Sequence, residues 1–80
     1  MKSDNNIAIS VLGLGVMGEA IIAGLLRHGL VTPDRINGSD PRKDRVEELH
    51  QKFNINPYLD NQKAIDGADV IIISVKPQRL

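Results

Sequence analysis

The 80-residue chain contains no cysteine. That absence excludes a disulfide framework, a thiolate nucleophile and a sulfur-ligated metal, and it fits an intracellular origin. Aromatic residues are nearly missing too: Phe53 and Tyr58 are the only two, so the core has to be built from aliphatic side chains. Net charge is zero, ten basic side chains against ten acidic, which removes the electrostatic footprint that nucleic-acid binding requires. The densest basic cluster, Arg42, Lys43 and Arg45, is answered locally by Asp44, Glu47 and Glu48 and reads as a solvated helix face. No apolar run approaches the roughly 20 residues that span a bilayer; the longest covers Val70 to Ile73. The polar start "MKSDNNIAIS" lacks the apolar stretch of a signal peptide. The reading is a cytoplasmic chain with neither a membrane nor a nucleic-acid partner. No internal repeat or low-complexity linker interrupts it. His28 and His50 fall in separate helices and read as surface residues, so no metal site is expected.

What is present is a regular alternation. "IAISVL" over residues 7–12 is short, apolar and β-branched, as a strand buried on both faces should be. The spacing predicts a helix over 16–27, with Met17, Ile21 and Leu25 on one apolar face, Ile22 and Leu26 beside them, and Gly29 as C-cap. "VTPDR" reads as a turn. "INGS" is a second strand against the preference of its Asn37 and Gly38. Asp40 and Pro41 read as N-cap and first position of a second helix, whose Val46, Leu49 and Phe53 form an apolar stripe. "NINPYL" is a third strand that Pro57 confines to an edge or a strand end. Asp60 caps a short third helix ending near Gly67, and "ADVIIISV" is a fourth strand, stopped by Lys76-Pro77.

Strand and helix in strict alternation predict an α/β fold: a Rossmann-like open parallel sheet in the order 3-2-1-4, with helices on both faces. The chain is expected to be the N-terminal part of such a domain, truncated after the fourth strand.

Glycine is where a core strand hands over to a helix. Gly13-Leu14-Gly15-Val16-Met17-Gly18 is G-x-G-x-x-G between a strand and a helix. In that setting Gly13 allows the tight turn, Gly15 lets a pyrophosphate meet the backbone, and Gly18 lets helix and strand pack closely. The helix N-terminus then faces the phosphates with unpaired N–H groups. The end of the second strand gives mixed advice on the cofactor. An acid there, Asp40, hydrogen-bonds the ribose of NADH, whereas Ser39, Arg42 and Lys43 suit the 2′-phosphate of NADPH. The bland alternative keeps Asp40 as a helix cap and the two bases in water.

"VLGLGVMGEAIIAGLLRHGLVTPDRI", "SDP" and "ADVIIISVKPQ" together resemble the N-terminal part of the pyrroline-5-carboxylate reductase family, over nearly the whole chain from Ile7 to Gln78. The resemblance implies hydride transfer from a reduced nicotinamide to the imine of 1-pyrroline-5-carboxylate, giving proline, with NADPH as the usual cofactor and NADH as the alternative. It implies pyrophosphate contacts from Leu12, Gly13, Leu14, Gly15, Val16, Met17 and Gly18. It also implies adenosine-side contacts from Ser39, Asp40, Arg42 and Asn61, and a nicotinamide side formed by Val75, Lys76 and Pro77. Asp40 departs from the serine, threonine or arginine common there, a departure that favours NADH. The family's C-terminal domain, which forms the homo-oligomer and most of the imine pocket, is expected to be absent from this chain, so no residue here is read as catalytic. Two alternatives share the glycine turn: a β-hydroxyacid dehydrogenase-type domain, and a nonenzymatic module that senses nicotinamide nucleotides.

Overall fold

The computed structural model describes residues 7–75; Lys76 and Pro77 lie outside the described residues. The elements run β1 (Ile9–Leu12), α1 (Val16–Arg27), a 3-10 turn (Pro33–Arg35), β2 (Ile36–Ser39), α2 (Lys43–Phe53), β3 (Asn56–Tyr58), α3 (Asn61–Ile65) and β4 (Val70–Ile73). The four strands form one parallel sheet ordered β3-β2-β1-β4, as the alternation of elements requires.

Neighbouring side chains on a strand point to opposite faces. On one face, Ile9, Val11 and Ile36 meet Leu14, Ile22, Val46, Leu49 and Ile55 in a single aliphatic core under α1 and α2. Fully burying each such side chain contributes about 1.5–3 kcal/mol. Gly38 belongs to this face, and the core explains why β2 tolerates it. A Cβ built there would stand 2.8 Å from Ile55 Cδ1 and 3.1 Å from Leu14 Cδ2, so the missing side chain is the space those two residues fill.

The opposite face carries Leu12, Ile71 and Ile73 at its β4 side and a polar group, Ser10 and Asn37, where α3 packs. Ser10 Oγ donates to the Ala64 carbonyl, Asn37 Nδ2 donates to the same carbonyl at 3.2 Å, and Asn56 Nδ2 donates to Asn37 Oδ1 at 2.9 Å. The second strand-averse residue of β2 thus fastens the last turn of α3 to the sheet.

The helix ends show their causes. Gly29, at φ 66°, closes α1: its N–H bonds the Leu26 carbonyl and the Leu30 N–H bonds the Leu25 carbonyl, the paired bonds of a Schellman motif. Asp60 caps α3 by accepting the Gln62 N–H at 2.9 Å. Pro57 sits on the edge strand β3, where a missing donor does least harm.

Two expectations are corrected. The second helix begins at Lys43 with Arg42 as its N-cap, two residues later than the Asp40-Pro41 pair suggested; the Asp40 carboxylate accepts the Arg42 N–H at 3.0 Å but also reaches across to the Leu14 N–H. The apolar face of α1 packs on the core through Ile21, Ile22, Leu25 and Leu26 as expected, but Met17 does not join it. Gly18 and Ile22 are buried, whereas Met17 is 64% exposed among the described residues, on the wall of the open cleft at the sheet end.

Candidate functional site

A cleft opens at the C-terminal end of the sheet, between the β1–α1 turn, the start of α2 and the end of β4. Its floor is the glycine turn. Gly13 adopts φ 101°, a conformation that L side chains rarely adopt, and a Cβ on it would come within 2.9 Å of the Val75 nitrogen. At Gly18 a Cβ would overlap the Gly13 carbonyl oxygen. That oxygen is fixed by Ser74, whose hydroxyl donates to it at 2.7 Å. Gly15 differs: nothing lies within 4 Å of where its Cβ would be, so its missing side chain leaves space open to the cleft. Among the described residues no side chain caps the N-terminus of α1, which leaves the first-turn N–H groups to an outside acceptor.

Asp40 stands at the end of β2, 4% exposed. It accepts the Leu14 N–H at 2.8 Å, the Arg42 N–H at 3.0 Å, and both Nε and Nη2 of Arg42 at 2.8 and 2.9 Å. The Arg42 guanidinium holds this carboxyl well below the usual range, and the two backbone N–H groups add to the effect while burial opposes it. Arg42 itself lies at the cleft rim with its side chain over half exposed.

The structure brings Gly13, Gly15, Val16, Met17, Asp40, Arg42 and Val75 to the cleft wall. Leu12, Leu14 and Gly18 support it from behind. Ser39, Lys43 and Asn61 are not among its lining residues. Ser39 is fully buried and donates to Asn61 Oδ1 at 2.5 Å. Lys43 lines a separate shallow hollow with Glu47 and Tyr58.

The reading of Arg42, Lys43 and Arg45 as a solvated helix face is overturned for Arg45. Its side chain is 16% exposed and reaches back to the glycine turn, donating from Nε to the Leu14 carbonyl at 2.5 Å and from Nη2 to the Gly15 carbonyl at 3.3 Å. It also pairs with Glu19 at 2.6 Å and Glu48 at 3.0 Å, and Lys52 pairs with the other Glu19 oxygen at 2.5 Å. Both cations hold the Glu19 carboxyl below its ordinary value, Lys52 first. The sequence signal was slight: Arg45 adjoins Val46 and lies four residues before Leu49, at the border of the buried stripe.

A parallel sheet ordered 3-2-1-4 with a glycine turn at the N-terminus of its first helix defines a Rossmann-like domain. Residues 8–80 match the model of the family described as NADP oxidoreductase coenzyme F420-dependent, and the chain belongs to that family. Its relatives include the pyrroline-5-carboxylate reductases of Methanosarcina acetivorans, 36% identical over 75 residues, and Escherichia coli, 41% identical over 69 residues. These alignments cover 94% and 86% of this chain, but only 28% and 26% of the relatives. The solved structure of a pyrroline-5-carboxylate reductase from Coxiella burnetii superposes with a TM-score of 0.84 at 30% identity, over 91% of this chain and 27% of that one. The chain therefore spans just over a quarter of the length of the relatives it matches.

Proposed function

We propose that the cleft binds NADPH and that the chain is the cofactor-binding portion of a pyrroline-5-carboxylate reductase. One observation carries the cofactor reading: Gly15 opens onto the cleft at the uncapped N-terminus of α1. That is the space and the electrostatics a pyrophosphate needs.

Gly15 and Val16 would offer the pyrophosphate their backbone N–H groups. Arg42 would meet the adenosine 2′-phosphate from the rim, with Lys43 one residue further along. Asp40 does not oppose this, since its charge is already matched by a bidentate guanidinium. Ser39 and Asn61 would act from behind by fixing the end of β2. Met17, Ile73 and Val75 give the other end of the cleft an apolar wall that excludes water from a nicotinamide ring; the roles implied for Lys76 and Pro77 fall outside the described residues. When bound, the reduced nicotinamide supplies the hydride; this chain's part is to bind and orient.

The substrate reading rests on the relatives' shared name. It favours an imine over coenzyme F420 as the second reactant. The reading includes a homo-oligomer acting in the cytoplasm; among the described residues no helix is long and apolar enough to cross a membrane. Proline formation from 1-pyrroline-5-carboxylate and NADPH by the natural full-length protein is the expected result. Failure to form proline while NADPH still binds would remove the substrate and keep the cofactor.

A further inference from the structure

We infer that Arg45, which itself lines the cleft beside Glu19, is a positioning residue for the anion-binding turn: it aims the Gly15 and Val16 N–H groups by holding the carbonyls behind them. The inference rests on the cofactor reading above and adds a residue to it.

A trans peptide is planar, so its N–H and C=O point in opposite directions. The Leu14 carbonyl accepts from Arg45 Nε, and the N–H of the same peptide, that of Gly15, therefore points away from the guanidinium. The Gly15 carbonyl accepts from Arg45 Nη2 and from the Glu19 N–H at 3.0 Å, which turns the Val16 N–H the same way. The Leu14 N–H is held separately by Asp40. Two successive peptides of the turn are thus set from α2 before any ligand arrives, and preorganised donors bind an anion more tightly than donors that must first be ordered.

Arg45 has a second effect that the test must separate from the first. Glu19, the fourth residue of α1, brings a carboxylate to the cleft wall, and Arg45 helps neutralise it. A lysine cannot reproduce the fork that serves two carbonyls and two carboxylates at once.

The test is a fluorescence titration of the natural full-length protein with NADPH, paired with calorimetric titration of adenosine 2′-monophosphate, which needs the Arg42 rim and not the turn. Arg45→Met should weaken NADPH about tenfold, the scale of one lost charge-assisted hydrogen bond. Arg45→Lys should fall between Arg45→Met and the unmodified protein, and adenosine 2′-monophosphate should bind both variants as before. The double variant Glu19→Gln with Arg45→Met should recover little. Unchanged NADPH affinity in Arg45→Met and Arg45→Lys, a parallel fall of both ligands, or full recovery in the double variant would each overturn the inference. If the unmodified protein fails to bind NADPH, the cofactor reading fails, and the inference falls with it.

Discussion

The Leu14 N–H points at the Asp40 carboxylate from 2.8 Å, tying the glycine turn of β1–α1 to the end of β2. Losing that acceptor strands a buried donor. Asp40→Ala should destabilise the fold by about 1–3 kcal/mol, with Asp40→Asn milder because one acceptor remains; denaturant midpoints at neutral pH measure both.

The same carboxyl gives a pH dependence with a definite sign. Its folded-state pKa is depressed, first by Arg42, so its contribution is present above the unfolded value near 4 and is lost as pH falls below that toward the folded value. Stability of the unmodified protein should therefore fall steeply between about pH 4 and pH 2, and the Asp40→Asn variant should show a shallower slope. Equal slopes would mean that Asp40 is not held in its charged form.

Gly15 and Gly18 should separate stability from binding. An alanine at Gly18 must displace the Gly13 carbonyl, so Gly18→Ala should cost about 1–3 kcal/mol and lower the melting temperature. Gly15 has φ −81° and open space around it, so Gly15→Ala should change stability by less than about 0.5 kcal/mol while NADPH binding falls sharply. Thermal melts beside titrations of each variant check the pair.

Cofactor choice should turn on Arg42. Replacing it by glutamine removes the rim cation and exposes the Asp40 charge to the cleft, so NADPH affinity should drop about tenfold or more while NADH affinity holds. The proposed preference for NADPH should also weaken with added salt, because the guanidinium is over half exposed and exposed charges are screened. Competitive titration of the two cofactors reads both effects; equal loss of both would show that Arg42 acts through the fold.

The fold was legible because hydrophobic spacing and glycine position carry it. The bounds of α1, the edge placement of Pro57 and the Asp60 cap all follow from local rules, and the structure bears them out. What escaped was set by tertiary partners. Asp40 looks like a helix cap, and one of its oxygens does accept the Arg42 N–H, but the other ties down Leu14, 26 residues away. Arg45 looks solvated until the chain folds and places two carbonyls of the glycine turn, 31 and 30 residues away, within its reach. Met17 fits a helical stripe, yet in the first turn it is Gly18 that packs, on the Gly13 carbonyl, and Met17 is left exposed. Each miss is a polar or steric contact between distant segments, which periodicity does not encode.

Among the described residues β4 pairs only with β1, so its far edge presents unpaired backbone groups beside exposed Val70, Ile71 and Ile73. No proline or charge interrupts the strand, and an apolar edge without such interruption pairs with another chain. The 80-residue chain alone should therefore self-associate through β4. The choice of control follows from packing: Ile72 touches the aliphatic core, so a lysine there would confuse association with folding, whereas Ile73 is 69% exposed and can carry a charge without disturbing it. Sedimentation across a concentration series should show association that Ile73→Lys reduces, with the melting temperature at low concentration unchanged. Strictly monomeric behaviour of the folded chain, or association indifferent to that lysine, would place the contact elsewhere or remove it.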